Sequence, residues 1–312
     1  IEAFHKAISI KPDYAGAHNN IGNALKGVTF NKPNKDLQKT IVSLLDEGLY
    51  IRPSDIAKSA ISLLKLEPNL KNQIQMGIER LNQFELNFIT QLNELPLLLH
   101  LMNVCPLPDL EIEKLFKDLR CFILSNISTL KEASRELLEF QSALALQCFT
   151  NEYIYNYTDN EEKILKSLDA NVRKALNNNN QPSPQVILAL ASYKALNKYE
   201  WCSLLSVTDD IQEVFSRQVE EPSEEEKIKQ DLPVLEEITD SISSEVRAQY
   251  EESPYPRWVN LGLSIKPMSI QEIVNEIELK LHDNKINLVE NPEILVAGCG
   301  TGQHSIGTGT RF

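Results

Sequence analysis

The sequence predicts a mainly α-helical protein whose last part opens an α/β unit. Three observations lead there. Apolar residues recur at helical spacing over most of positions 1–215, and the region from Lys32 to Phe215 holds no convincing strand alternation. Small residues and a proline punctuate the first 27 residues as a repeated helical hairpin would. A short apolar run, Glu293–Ala297, leads straight into Gly298, Gly300 and Gly302. The chain divides into residues 1–27, a helical region 28–218, an acidic linker 219–235 and a C-terminal part 236–312.

In the first part, Phe4, Ala7 and Ile8 share one face of a short helix, and Pro12 breaks it. Ala17, Ile21, Gly22 and Leu25 share one face of a second helix, with small residues placed to let the two approach closely. This resembles the tetratricopeptide repeat, a unit of about 34 residues. Ile1–Ile10 matches the second helix of one unit, "KPDYA" the turn, and Ala15–Lys26 the first helix of the next. Pro12, Ile21 and Gly22 fall at matching positions, whereas His18 stands where the family has a large aromatic. The resemblance implies a packing framework that presents a groove to a protein or peptide partner. About three repeats are needed for a continuous core, so further repeats are expected before Ile1.

The helical region follows from spacing and caps. Leu37, Ile41, Leu44 and Leu45 make one face, after a cap at Asn34 or Asp36 and before Gly48. Ser54, after Pro53, is expected to cap the next helix, carrying Ile56, Ala60, Leu63 and Leu64. Asp109 is expected to cap a helix with Ile112, Leu115, Phe116 and Leu119 inward. Further helices are expected near 130–150, 159–177, 184–196 and 208–217, with "NNNNQPSP" (Asn177–Pro184) as a loop. Tyr153, Tyr155, Tyr157 and Trp201 read as packing residues. "EEPSEEEKIKQD" (Glu220–Asp231) reads as a solvated linker.

The last part carries the chemistry. "QYEESPYPRW" concentrates Tyr250, Tyr255, Arg257 and Trp258. A helix capped by Ser269 is expected within Met268–His282, with Ile270, Ile273, Ile277 and Leu281 along one face. Glu293–Ala297 reads as a buried strand. The glycines that follow permit unusual backbone angles and let main-chain N–H groups approach a ligand closely. Gln303 then opens a helix. Strand, glycine loop and helix together form the first step of a doubly wound sheet.

The spacing Gly298-Cys299-Gly300-Thr301-Gly302 differs from the G-x-G-x-x-G of nicotinamide and flavin enzymes, because the third glycine comes one residue early. It resembles motif I of class I S-adenosylmethionine-dependent methyltransferases. The resemblance implies a truncated Rossmann-like domain, S-adenosyl-L-methionine as cosubstrate, and a loop (Gly298, Cys299, Gly300, Thr301, Gly302, Gln303) holding its methionine part. Val296 stands where the family often has an acid, and Gly307 and Gly309 weaken the helix after the loop. Taken with the repeats and the helical middle, the chain looks like a bacterial-type methyltransferase with tetratricopeptide repeats. By similarity to the segment that folds over the cofactor in protein arginine methyltransferases, Tyr250, Tyr255 and Arg257 are expected to line the cofactor pocket.

Bulk properties narrow the classes. The 312 residues suggest about two domains. A net charge of -13 without any basic run argues against sequence-independent binding to nucleic acid or anionic membrane. The longest apolar cluster, Leu95–Met102, is too short to span a bilayer. Five scattered cysteines without a C-x-x-C fit a reducing cytoplasm, and no metal site is expected. The catalytic residues and the ribose-binding acid of the family lie beyond its motif I, so the chain reads as a fragment truncated at both ends. By itself it is expected to lack measurable S-adenosylmethionine binding and to pack its last 20 or so residues poorly. Two other readings remain open: a helical protein-interaction scaffold with a vestigial loop, and a nucleotide-cofactor oxidoreductase. The methyl acceptor and the oligomeric state also stay open at this level.

Overall fold

The computed structural model describes residues 2–11, 14–48, 51–76, 86–129, 133–233, 239–252, 254, 257–263, 267–276 and 278–312. Helix accounts for 65% of the structure, and no strand is formed among the described residues. In chain order the helices are α1 (Glu2–Ile10), α2 (Ala15–Leu25), α3 (Lys35–Glu47), α4 (Pro53–Leu64), α5 (Pro68–Met76) and α6 (Leu86–Asn93). Next come α7 (Pro96–Val104), α8 (Leu110–Asn126), α9 (Arg135–Thr150), α10 (Asp159–Asn177) and α11 (Pro184–Ala191). The series closes with α12 (Gln212–Phe215), α13 (Glu221–Asp231), α14 (Ser241–Glu252), α15 (Ile270–Glu276) and α16 (Gln303–Gly309).

Local chemistry sets the helix ends. Asn34 accepts from the Leu37 amide at 2.9 Å, and Gly48 stops α3 at φ 64°. Asp109 accepts from the amides of Glu111 and Ile112. Thr158 and Glu161 form a reciprocal capping box at the start of α10. Ser54 does not cap α4, contrary to the sequence expectation. Arg52 takes the cap position and Pro53 is the first helical residue, because a proline there forgoes only an N–H that has no helical partner. The helix expected over 184–196 ends at Ala191. The one expected within 268–282 covers only Ile270–Glu276; Glu278 takes φ 52° and Leu279 N–H returns to the Val274 carbonyl at 3.0 Å. Ile277 and Pro12 lie outside the described residues.

The α1–α2 hairpin turns Phe4 and Ile8 inward and buries Ala17, His18, Ile21 and Leu25. A Cβ on Gly22 would come within 2.6 Å of Ile51 Cδ1, so glycine lets α2 lie close to the start of α4. Two apolar clusters follow, one running from Ile21 to Tyr155 and the other from Ala145 to Val214. Helix α9 joins them, giving Phe140 and Leu144 to the first and Ala145 and Leu146 to the second. Trp201 and Tyr155 are buried and Tyr153 is half-buried, whereas Tyr157 is half exposed. Between the clusters lies Arg120, only 1% exposed. Its guanidinium donates to the carbonyls of Tyr155 (3.0 Å), Asn156 (3.3 Å) and Ser192 (3.3 Å) and sits 4.0 Å from the Tyr193 ring centre. Tyr193 in turn donates to Glu161 at 2.7 Å.

After position 218 the character changes. The acidic run 221–231 is helical and buries no side chain. Among the described residues beyond 218, Leu261 is the single buried hydrophobic one. Residues 293–297, expected as a buried strand, form no ladder, and Leu295 is 91% exposed. A strand exists only through the hydrogen bonds of a neighbour, and no such neighbour occurs among the described residues.

Candidate functional site

The glycine loop is built from backbone angles. Gly298, Gly300 and Gly302 take φ of 69°, 55° and 83°, in the left-handed region that costs any other L-residue about 1 kcal/mol or more. A Cβ at Gly298 or Gly300 would meet nothing within 4 Å. Glycine is therefore demanded here by conformation and leaves an open approach to the main chain. Gly302 N–H closes the turn onto the Cys299 carbonyl at 3.0 Å, and Ile306 N–H reaches the Gly302 carbonyl at 2.9 Å to begin α16. Helix α16 forms with Gly307 and Gly309 inside it.

Two clefts border the loop and its helix. One, of about 460 Å³, is lined by Val296, Cys299, Ser305 and Phe312 among others. The second, of about 860 Å³, lies between the loop's helix and the helical body, with Gln303, His304, Arg52, Leu261, Glu272 and Gly307 on its walls.

The site residues expected from the sequence separate. Gly298, Cys299, Gly300, Thr301 and Gly302 form one continuous turn, and Gln303 is the first residue of α16. Tyr250 lies on α14, 64% exposed, and Tyr255 is outside the described residues. Arg257 points to the helical body: its Nε is 2.6 Å from Glu152 Oε1, and its guanidinium carbon is 4.3 Å from the Phe149 ring centre. Trp258 meets the loop instead, donating its indole N–H to the Thr301 carbonyl at 3.1 Å. The adjacent Arg257-Trp258 pair was the only signal for this role, and the sequence does not say which of the two faces which way.

The buried thiols offer no nucleophile. Burial pushes Cys105 up to about 12, and Cys148 and Cys202 up to about 11. Cys299 is the exposed one, within the loop. Among the described residues no helix is long and apolar enough to cross a membrane. Comparison with family models, with curated proteins and with solved structures returns no match.

Proposed function

We propose that this chain belongs to an S-adenosylmethionine-dependent methyltransferase of the reducing cytoplasm, and that its helical hairpin repeats engage a protein or peptide partner. In this reading the 298–303 loop receives the amino-acid end of the methyl donor, which supplies an electrophilic sulfonium methyl when bound. One observation carries it: all three glycines of the G-x-G-x-G spacing adopt positive φ, and the side of Gly298 and Gly300 that a side chain would fill is empty. That is the shape a backbone needs to take a ligand at main-chain distance. The chain's own contribution at this site is binding and orientation, by which an enzyme holds a reacting methyl in line with its acceptor.

Titration calorimetry of S-adenosylmethionine into the protein expressed from its complete gene tests the proposal. Micromolar binding is expected, weakened at least about tenfold by Gly300→Val, which adds a branched side chain at φ 55°. Binding of a nicotinamide dinucleotide in its place, or of neither ligand, overturns it. The last outcome leaves the scaffold reading, which the concentration of packing in the helical body favours.

A further inference from the structure

Residues 257–262 touch three separate places. Arg257 pairs with Glu152 and covers Phe149 at the end of α9. Leu261 is buried and its carbonyl accepts from Arg52 Nε at 3.0 Å, at the start of α4. Gly262 is pressed so closely on that turn that a Cβ would lie 2.6 Å from the Arg52 nitrogen. Between these two anchors Trp258 holds the Thr301 carbonyl of the glycine loop.

The α9 anchor is itself unusual. Glu152 and Tyr153 follow the helix with φ of 59° and 54°, two consecutive residues other than glycine in left-handed backbone. Such conformations persist only where the surroundings hold them, and they gather at sites with a task. Tyr153 N–H returns to the Cys148 carbonyl at 2.8 Å and its hydroxyl donates to the Ala191 carbonyl at 3.1 Å, so this turn is fixed to the core. It presents Glu152 outward, at the negative end of the α9 dipole, where a guanidinium is favoured. The pair is half-buried, and it also places a cation over an aromatic face.

We infer that the 257–262 strap sets the position of the glycine loop from the end of α9, with Arg257 and Trp258 as positioning residues. Fixing Arg257 on the body fixes its neighbour, and the neighbour's indole fixes Thr301 in the middle of the loop. Its use for a methyl donor rests on the function proposed above, but the positioning is read without any cofactor.

The chain has two tryptophans, and both indoles donate hydrogen bonds: Trp258 to Thr301, and Trp201 to Asp169 at 2.6 Å. In ¹H–¹⁵N spectra Trp258→Phe assigns the two indole signals. Glu152→Gln and Arg257→Gln are expected to speed solvent exchange of the Trp258 indole proton about tenfold, the scale of one lost hydrogen bond, and to leave Trp201 within about twofold. An unchanged Trp258 rate in both variants overturns the strap. A parallel rise at both indoles also overturns it, since the effect is then general loosening. Should Arg257→Gln fail to fold, Glu152→Gln decides alone. In the complete protein, Glu152→Gln is expected to weaken S-adenosylmethionine about tenfold; unchanged affinity removes the link to the cofactor. Absence of cofactor binding in the unmodified protein, with a Trp258-selective effect, sinks the methyl-donor reading and leaves the strap standing.

Discussion

Glu161 shows how a buried charge is kept in a helical core. It is 2% exposed, and burial by itself works to raise its carboxyl. Hydrogen bonds from Tyr193 and Thr158, with the Arg120 charge beyond, outweigh that and hold it below the usual 4.5. A carboxyl lowered in the folded state stabilises above its unfolded value, and the contribution is lost as pH falls through the folded one. Glu161→Gln is therefore expected to cost about 1–3 kcal/mol at pH 7, the penalty for disturbing a buried charged partner. The difference from the unmodified protein should shrink as pH falls below the usual 4.5 and vanish once it has passed through the lowered value of Glu161. Urea unfolding at pH 7 and at the acid end measures both. A cost that stays constant with pH assigns the effect to packing, not to ionisation. Neither Glu161 nor Arg120 is conspicuous in the sequence. Their burial depends on a contact between α8, α10 and α11 that no local pattern announces.

At the scale of elements, local signals and tertiary context divide the outcome. The expected 159–177 helix matches α10, because a capping box and an asparagine-rich loop mark both ends in neighbouring residues. The Asp109 cap was legible for the same reason. Ser54 differs from its sequence pattern: a serine after a proline looks like a cap, but the proline itself opens the helix. Two single changes test that correction: Asn34→Ala should cost about 1 kcal/mol and Ser54→Ala less than about 0.5 kcal/mol in urea unfolding. Comparable losses would restore Ser54 as a cap. The Glu293–Ala297 run lies at the other extreme. Its apolar pattern was visible, but a ladder needs a partner strand, none occurs among the described residues, and Leu295 stays 91% exposed. In the candidate site the glycine turn was legible because positive φ is written into the residue type, while the destination of Arg257 depended on Glu152, 105 positions away.

Across the whole molecule, packing and the candidate site are separated along the chain. Both apolar clusters lie between Ile21 and Val214, with Leu261 as the one buried hydrophobic residue described beyond 218. No side chain from 293 to 312 is buried. Folding free energy comes mainly from apolar area removed from water, offset by chain entropy. A segment that buries almost nothing cannot offset its own ordering. The expected behaviour is thus asymmetric. A chain ending at Pro233 should keep its helical circular dichroism and one cooperative melt. It loses the Leu261 burial and the Arg257 pair and is relieved of ordering the segment, a net change of about 1 kcal/mol, so its midpoint should move by no more than about 4 °C. Residues 239–312 alone should show no cooperative transition. If the shortened chain instead melts far lower, or the C-terminal piece folds unaided, the strap and loop are part of the core and the dependence between the two halves runs the other way. Thermal melts of the two pieces beside the 312-residue chain decide it.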